Sequence, residues 1–403
     1  MSSSLQFSAE IAAGPRQVYA AFTNPILLRG WLCDYALFSR VQGNRYLFCW
    51  NNGYAAMGQY TVLQAPDHVV FSWTGEGDPA ATTVEVTITA EGAGSRITLT
   101  HQGLGDGDSW KSSREAVERG WRDGLENLVY FLDTGLDARI MRRPMLGINI
   151  GFLEEGTQER LGLPTGDGVL LSGTVEGLGA HNAGLRGGDL ITSLAGHPLK
   201  SYSDLAAALV GKKGGDTVDV AFYRGAELHQ VQMRLSERPR PPILESVAAL
   251  AEHLRKVAGD LAGELDALLQ DVSAADAAAR PAPESWSVNE NLAHLIFTER
   301  FSQMLNFGVM GGDDHIVWPD NNAAQLTPIL SLYPDIAALV DGLKRETLAT
   351  AAQVAELPAQ TADDKPIFTT ISQSMMGLAD HTREHYQQMR EALEALKAAQ
   401  RAK

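Results

Sequence analysis

The sequence has few cysteines and fewer basic than acidic residues. Cys33 and Cys49 are the only cysteines among 403 residues, which excludes a disulfide framework and a cysteine-rich zinc or iron–sulfur site. A chain with so little cysteine fits a reducing compartment best. Lys and Arg total 33 against 49 Asp and Glu, a formal net charge of −16, and this charge opposes attraction to phosphate backbones. We therefore expect no nucleic-acid partner.

Long apolar runs are also missing. No segment reaches the roughly 18 consecutive apolar residues of a membrane-spanning helix, and the first residues, MSSSLQFSAEIAAGP, lack the basic and apolar regions of a secretory signal. We therefore expect no membrane span and a cytoplasmic location. The 44% hydrophobic and 20% charged residues are ordinary globular proportions. At about 100–200 residues per domain, the length predicts two to four folded domains.

Two segments oppose regular structure and divide the chain. Residues 134–144, TGLDARIMRRP, end at a proline, and residues 236–243, SERPRPPI, contain three prolines, which favour extended backbone and cannot continue a helix. We expect a multidomain α+β protein with domains at residues 1–136, 144–236 and 243–403.

The first part alternates apolar and polar residues with period two in runs such as HVVFSW and TTVEVTITA, the pattern of antiparallel strands. It ends in a segment with helical spacing of its apolar residues, Ala116, Trp121, Leu125, Leu128 and Phe131. This order predicts a curved sheet wrapped around one long C-terminal helix. The glycine-rich middle part, with short strand patterns and one short helix pattern, predicts a small β-rich module.

The last part changes to Ala- and Leu-rich helical periodicity and predicts a bundle of four long helices. Ser287 with Glu290, and Thr370 with Gln373, have the spacing of helix-initiating capping boxes. The acidic residues of this part that lie near histidines in sequence, Glu299, Asp380 and Glu384, are interpreted as surface charges.

Histidines lie on the predicted inward faces of two of these helices. His294 is in line with Phe297 and Phe301, while His381 and His385 are one turn apart in the last helix, so their side chains project together. Two buried neighbouring imidazoles are not easily both protonated, but neutral rings that share a divalent cation satisfy their nitrogens. The pattern predicts a three-histidine metal site with open coordination positions. The alternative is a set of hydrogen-bonded core histidines.

The strings W-S-x-x-E-N-L-x-H-L and H-x-x-x-H in this region resemble the DinB-like (YfiT-like) superfamily of four-helix metalloproteins, over roughly residues 244–400. The resemblance implies that His294, His381 and His385 bind a divalent metal, most often zinc or nickel. It also implies, for some members, a thiol transferase that activates a low-molecular-weight thiol cosubstrate such as bacillithiol, mycothiol or glutathione. The string HTREH also matches a zinc-protease signature, but too few residues follow it to supply that signature's further acidic ligand.

The middle part carries M-L-G-I at residues 145–148, then G-V-L-L-S-G-T-V and A-G-L-R-G-G-D-L-I, and so resembles a PDZ domain of the bacterial HtrA-associated type. The resemblance implies that Leu146, Gly147 and Ile148 receive the terminal carboxylate of a peptide or protein C-terminus. It implies that Leu205 and Leu209 line the groove to which the peptide adds as a strand. The alternative is a groove that is empty or docks against another part of this chain. No serine-nucleophile motif accompanies the module, so we do not expect proteolysis.

The first part contains P-R-Q-V-Y-A-A-F-T-N-P, G-W-L, G-Q-Y-T-V and V-V-F-S-W, and resembles the Aha-type (heat-shock ATPase activator homologue) branch of the START-like SRPBCC helix-grip superfamily. That fold implies a cavity between sheet and long helix for an apolar small molecule, which Trp50, Phe71 and Trp73 would line. The alternative is that these large rings fill the core.

Two hypotheses about function remain open. In the first, the protein is a cytoplasmic metalloprotein whose bundle performs metal-assisted thiol-transfer or hydrolytic chemistry, with the other domains recruiting peptide or apolar substrate. In the second, it is a non-catalytic stress-response or scaffolding adaptor that binds protein C-termini through its PDZ groove.

Overall fold

The computed structural model describes residues 3–38, 41–154, 156–312 and 323–401. The expected multidomain α+β fold class is confirmed. The chain forms two compact units, Met1–Leu136 together with Pro242–Lys403, and Asp137–Pro241. The division into three domains at the boundaries given above stays a prediction.

The N-terminal part is a seven-stranded antiparallel sheet with strand order β1-β7-β6-β5-β4-β3-β2. Its strands are β1 (Ser3–Ile11), β2 (Tyr35–Phe38), β3 (Arg45–Cys49), β4 (Ala55–Gln64), β5 (His68–Gly75), β6 (Thr82–Glu91) and β7 (Gly94–Leu104). Its helices are α1 (Pro15–Thr23), α2 (Pro25–Trp31) and the long α3 (Lys111–Thr134).

Helix α3 packs its apolar stripe against the inner face of the sheet. The stripe runs from Val117 through Trp121 and Leu128 to Leu132, all buried. Ala116, which the periodicity placed on this stripe, is exposed, because the next residue, Val117, has the helical angle that faces the sheet. The predicted helix-grip arrangement is otherwise confirmed.

The second compact unit is an antiparallel sheet with strand order β13-β12-β10-β9-β8, to which β11 adds beside β10. Its strands are β8 (Ile148–Ile150), β9 (Val169–Thr174), β10 (Asp189–Leu194), β11 (His197–Pro198), β12 (Thr217–Arg224) and β13 (Glu227–Arg234). Its short helices are α4 (Ala138–Met141), α5 (Thr157–Leu161), α6 (Gly179–Asn182) and α7 (Asp204–Ala208).

The C-terminal part is the predicted bundle, with four long helices. The long helices are α8 (Val247–Leu269), α10 (Val288–Gly311), α12 (Ile336–Ala355) and α13 (Lys365–Arg401). Two shorter helices, α9 (Ala274–Ala278) and α11 (Ala323–Leu332), lie between them in sequence. The capping box of Ser287 and Glu290 is present at the start of α10. The second predicted capping box is wrong: Thr370 lies inside α13, where its hydroxyl donates to the Pro366 carbonyl, a bond that a helix interior allows as well as a cap.

One hydrophobic core runs from the N-terminal sheet into the bundle. The cluster that contains Trp31 and Phe131 also contains Leu250, Val354 and Phe368 of the bundle. Hydrogen bonds also join these two parts of the chain: the Lys365 ammonium donates to the Asp133 carbonyl, and the Gln17 side-chain amide donates to the Asp363 carbonyl. The first and last parts of the chain therefore share one core, although the second compact unit separates them in sequence.

Within the described residues, no single helix combines the length and apolar character needed to cross a bilayer. Helices α11 and α12 meet that criterion only as a pair, with a bend of 108° between them.

Candidate functional site

Helices α10 and α13 bring the three predicted histidines together. One ring nitrogen from each of His294, His381 and His385 lies within 4.8 Å of the others. The Nε2 atoms of His294 and His381 are 3.2 Å apart, and the ring centroids of His381 and His385 are 4.6 Å apart. His294 and His385 are buried and His381 is half-buried. Whether the cluster binds a metal stays a prediction.

Burial keeps these imidazoles neutral. It lowers the pKa of His294 to about 4, with a further contribution from His381. Burial, then His294, then His381 lower the pKa of His385 to about 3. Burial also lowers the pKa of His381, against the opposing effect of Glu384. Each ring therefore offers an unprotonated nitrogen near neutral pH.

The side chains around the cluster hold His385 in place. Its Nδ1 lies 2.8 Å from the Asn291 side-chain oxygen. The Trp286 ring stacks on it at a centroid distance of 6.0 Å and an interplanar angle of 17°, and lies 5.1 Å from the His294 ring. Asn291 and Trp286 were not predicted as site residues from the sequence, although both belong to the W-S-x-x-E-N-L-x-H-L string that resembles the DinB-like superfamily.

The donor set fits a divalent cation. At most one proton can be shared between the facing Nε2 atoms of His294 and His381, so at least one of these nitrogens has a lone pair free for a cation. The 3.2 Å separation of those two atoms is close to the ~3.3 Å expected between nitrogen ligands of a tetrahedral zinc ion. Three imidazoles are a ligand set typical of zinc, and also of nickel and copper.

A cleft of about 630 Å³ reaches the site at Asn291 and His385. Trp286 and Ser285 form part of its wall, and its charged lining residues are Glu284 and Glu391. Two arginines adjoin lining residues in sequence: Arg280 is paired with Glu290, and Arg390 donates to the Gln387 side-chain oxygen. The wall of the cleft is therefore largely apolar, with Pro281, Ala282 and Ala392 among its residues, and its charged lining groups are both carboxylates.

Glu299 is placed differently from the surface position that the sequence suggested. It is 4% exposed, and the Thr350 hydroxyl donates to its carboxylate at 2.6 Å. Burial raises the pKa of Glu299, which the hydrogen bonds from Thr350 and Thr347 partly oppose. The surface interpretation failed because α10 is buried on more than one side. Asp380 and Glu384 are exposed, as expected.

The predicted carboxylate loop of the second unit has an ordered backbone. The Leu146 carbonyl accepts from the Ala180 N–H at 2.8 Å, and the Gly147 carbonyl accepts from the Val175 N–H at 2.9 Å. A trans peptide directs its N–H opposite to its carbonyl, so the N–H groups of Gly147 and Ile148 point away from the donors Ala180 and Val175. Leu205 is buried in the core that contains Leu146, and Ile148 and Leu209 pack against the same core.

The aromatic residues predicted to line an apolar cavity lie inside the helix-grip core. Phe71 and Trp73 are buried, and Trp50 is half-buried with its indole N–H donating to the Leu32 carbonyl at 2.7 Å. The Trp73 ring lies 6.2–6.5 Å from Trp50 and Phe71 and 5.6 Å from Trp121. Binding of an apolar molecule here stays a prediction.

The topology and these sites define a protein of three modules: a helix-grip domain, a PDZ domain and a DinB-like helical bundle with a possible histidine metal site. Comparison with protein families agrees. Residues 12–133 match the model for Activator of Hsp90 ATPase homolog 1-like protein, residues 150–235 the PDZ domain, and residues 260–389 the DinB superfamily. The three resemblances inferred from the sequence are confirmed.

Matches to curated proteins cover about a quarter of this chain. The probable periplasmic serine endoprotease DegP-like of Rhizobium meliloti is 30% identical over 108 residues, which cover 27% of this chain and 21% of that protein. Serine protease Do-like HtrA of Lactococcus lactis subsp. cremoris is 34% identical over 116 residues, which cover 28% of each chain. This chain thus spans between about a fifth and just over a quarter of the length of these relatives.

Among solved structures, the Aha1 dimer from Colwellia psychrerythraea is 17% identical, with a TM-score of 0.29. The match covers 32% of this chain and 96% of that one.

Proposed function

We propose that the protein binds a divalent metal ion through His294, His381 and His385, and that the bundle uses this ion in thiol-transfer or hydrolytic chemistry. The observation that carries the proposal is the convergence of three neutral imidazoles within 4.8 Å. The match of residues 260–389 to the DinB superfamily supports it. Zinc and nickel are the metals that the resemblance to the DinB superfamily implies, and three imidazoles suit both.

A bound ion of this kind supplies Lewis-acid chemistry, lowering the pKa of a thiol or water that occupies an open coordination position. The chain's own residues bind and orient. The three histidines leave coordination positions open, and the stacked Trp286 shields one face of His385.

The cleft beside His385 gives the proposal a substrate preference. Its carboxylates, Glu284 and Glu391, attract cationic and repel anionic molecules. A neutral or cationic thiol therefore fits this cleft better than an anionic one such as glutathione. Turnover assays with one electrophilic acceptor and either cysteamine or 3-mercaptopropionate, thiols of similar size and opposite charge, test this: we expect the preference for the cationic thiol to fall in the double variant Glu284→Gln/Glu391→Gln. An unchanged preference in that variant would remove the charge argument.

Elemental analysis of protein purified without an affinity metal column tests the metal site. We expect near-stoichiometric zinc, nickel or another divalent metal in the wild type, and its loss in the double variant His381→Ala/His385→Ala. The matched control is His253→Ala, which removes an exposed histidine of the same bundle and should leave the metal content unchanged. An absence of metal after reconstitution of the folded wild type would rule out the proposed metalloenzyme.

The second candidate function is a non-catalytic adaptor that binds protein C-termini through the PDZ groove. The orientation of the carbonyls of Leu146 and Gly147 favours it, because these carbonyls bond Ala180 and Val175 and leave the loop N–H groups on the opposite side, able to receive a carboxylate. Titration of a library of C-terminal peptides, free and amidated, tests this function. The adaptor predicts tight binding that amidation abolishes, and no metal-dependent turnover. A cytoplasmic site of action remains part of both proposals.

A further inference from the structure

A buried asparagine connects the N-terminus of α10 to the histidine cluster. Asn291 lies three residues before His294 on α10 and is 1% exposed. Its amide nitrogen donates to the Ser287 carbonyl at 3.0 Å, and its side-chain oxygen lies 2.8 Å from the Nδ1 of His385 on α13. It contacts one of the proposed ligands but belongs to the helix that carries another.

These two contacts determine which nitrogen of His385 carries the proton. A backbone carbonyl only accepts, so the NH₂ group of Asn291 must face Ser287 and its oxygen must face His385. That oxygen also only accepts, so the Nδ1 of His385 must be the donor. In a neutral ring the Nε2 then has a free lone pair.

Ser287, whose carbonyl accepts from Asn291, is itself held by several hydrogen bonds. Ser287 is the N-cap of α10: its hydroxyl accepts from the Glu290 N–H, and its own N–H donates to the Glu290 carboxylate. Arg280 pairs with the same carboxylate. Ser287 is 3% exposed. The position of Asn291 is therefore set by the helix start rather than by the histidines.

We infer that Asn291 is a positioning residue for His385. It fixes the Nδ1–H tautomer and the ring orientation, so that the Nε2 is the nitrogen available to the cluster of His294 and His381. The value of this role for metal affinity rests on the proposed function, whereas the tautomer does not. A hydrogen-bond partner of this kind on a metal-binding histidine typically contributes about 10- to 100-fold to affinity.

The first test needs no metal and measures the tautomer in the wild-type protein. In metal-free full-length protein labelled with ¹⁵N-histidine, long-range ¹H–¹⁵N spectra report which ring nitrogen is protonated, and a His385→Gln variant assigns the signal. We expect the Nδ1–H tautomer for His385. Finding the Nε2–H tautomer in the wild type would overturn the inference.

Variants then separate positioning from packing. Asn291→Leu should shift His385 towards the Nε2–H tautomer and weaken zinc or cobalt binding by about 10- to 100-fold. Asn291→Asp keeps an acceptor for Nδ1 but loses the donor to Ser287, and it should restore the Nδ1–H tautomer. The matched control is Asn306→Leu, which removes an equally buried amide of α10 that bonds Gln353 rather than a histidine. It should change neither readout. An unchanged tautomer in a folded Asn291→Leu protein would contradict the inference.

The two readouts also distinguish the inference from the proposed function. If wild-type His385 is the Nδ1–H tautomer but neither zinc nor cobalt binds, the positioning role stands and the metal proposal fails. If metal binds equally well in wild type and Asn291→Leu, the metal proposal stands and the positioning role fails.

Discussion

At the scale of single residues, two buried imidazoles, those of His385 and His101, have hydrogen-bond partners that favour one tautomer. His101 in the helix-grip core shows this. The Trp121 indole donates to its Nδ1 at 3.0 Å, and the Thr82 hydroxyl, which donates to the Trp73 carbonyl, lies 2.7 Å from its Nε2. The neutral Nε2–H ring satisfies every partner, while protonation of Nδ1 would place two N–H groups against each other.

The first prediction concerns pH and His101. Burial lowers the pKa of His101 to about 4, so between pH 6.5 and 4 the unfolded chain binds this proton and the folded protein does not. The stability that the neutral ring provides is present above about pH 6.5 and is lost as pH falls, by up to about 1.4 kcal/mol per pH unit. Urea unfolding followed by tryptophan fluorescence from pH 7.5 to 4.5 measures this loss.

The control for that experiment is His101→Gln, whose amide can make both hydrogen bonds but does not titrate. Its free energy of unfolding should fall less steeply with decreasing pH than that of the wild type. Identical slopes would show that His101 does not contribute to the pH dependence.

The second prediction concerns Glu299, whose pKa burial raises. Because the pKa of Glu299 is higher in the folded than in the unfolded protein, its protonated carboxyl contributes to the free energy of unfolding at low pH. That contribution is lost as pH rises through the pKa of Glu299 in the folded protein. Glu299→Gln should therefore raise the free energy of unfolding at pH 7 by on the order of 1 kcal/mol, and the gain should shrink towards pH 4. Glu394→Gln, at an exposed position of α13, is the matched control and should have little effect at either pH.

At the scale of elements, local signals located the helices and strands better than their ends. Period-two alternation predicted the strands of the helix-grip sheet, and the capping box at Ser287 predicted the start of α10. The start of α13 was misplaced, because Thr370 and Gln373 have capping-box spacing but α13 begins at Lys365. Residues with capping-box spacing also occur inside helices, so only the fold shows which of these residue pairs caps a helix.

The third prediction concerns the loop before β8. Gly147 has φ +76°, and an added Cβ would lie 2.4 Å from the Leu178 Cβ. Gly147→Ala should therefore destabilise the PDZ unit by about 1–3 kcal/mol and weaken binding of peptide C-termini. Hydrogen exchange of peptides from residues 144–236 in the full-length protein measures the stability, and fluorescence anisotropy measures the binding.

Gly184→Ala in the same unit is the matched control. Gly184 has φ +81° but open space around it, so its substitution carries the backbone cost without the steric clash. If both variants lose equal stability and equal peptide affinity, the packing of Gly147 on Leu178 has no special role.

At the scale of the whole molecule, the shared core predicts that the helix-grip part and the bundle unfold together. Gly135 ends α3 with φ +73°, and a Cβ there would lie 2.2 Å from the Thr369 hydroxyl and 2.6 Å from the Lys365 carbonyl of α13. The end of α3 and the start of α13 therefore approach each other too closely for any larger residue.

The fourth prediction follows from this contact. Gly135→Ala should lower the midpoint of urea unfolding for both parts, measured by hydrogen exchange of α3 and of α13 in the full-length chain. Gly92→Ala, at a hairpin glycine with φ +59° and open space, should have a smaller effect. Two well-separated midpoints in the wild type would contradict a shared cooperative core.

The sequence by itself determined the kinds of elements, the three family resemblances and the identity of the three histidines, because these depend on periodicity, turn residues and local spacing. The spacing of His381 and His385 already placed both rings on one helix face. Tertiary structure alone decided three features of the site. It brings the Nε2 of His294 to 3.2 Å from that of His381, which is 87 residues away in sequence. It also brings Asn291 into contact with His385, 94 residues away, and buries Glu299. Only it revealed the core shared by the first and last parts of the chain. Such contacts join residues that no local pattern relates, and a buried hydrogen bond depends on how two helices pack rather than on the propensity of either.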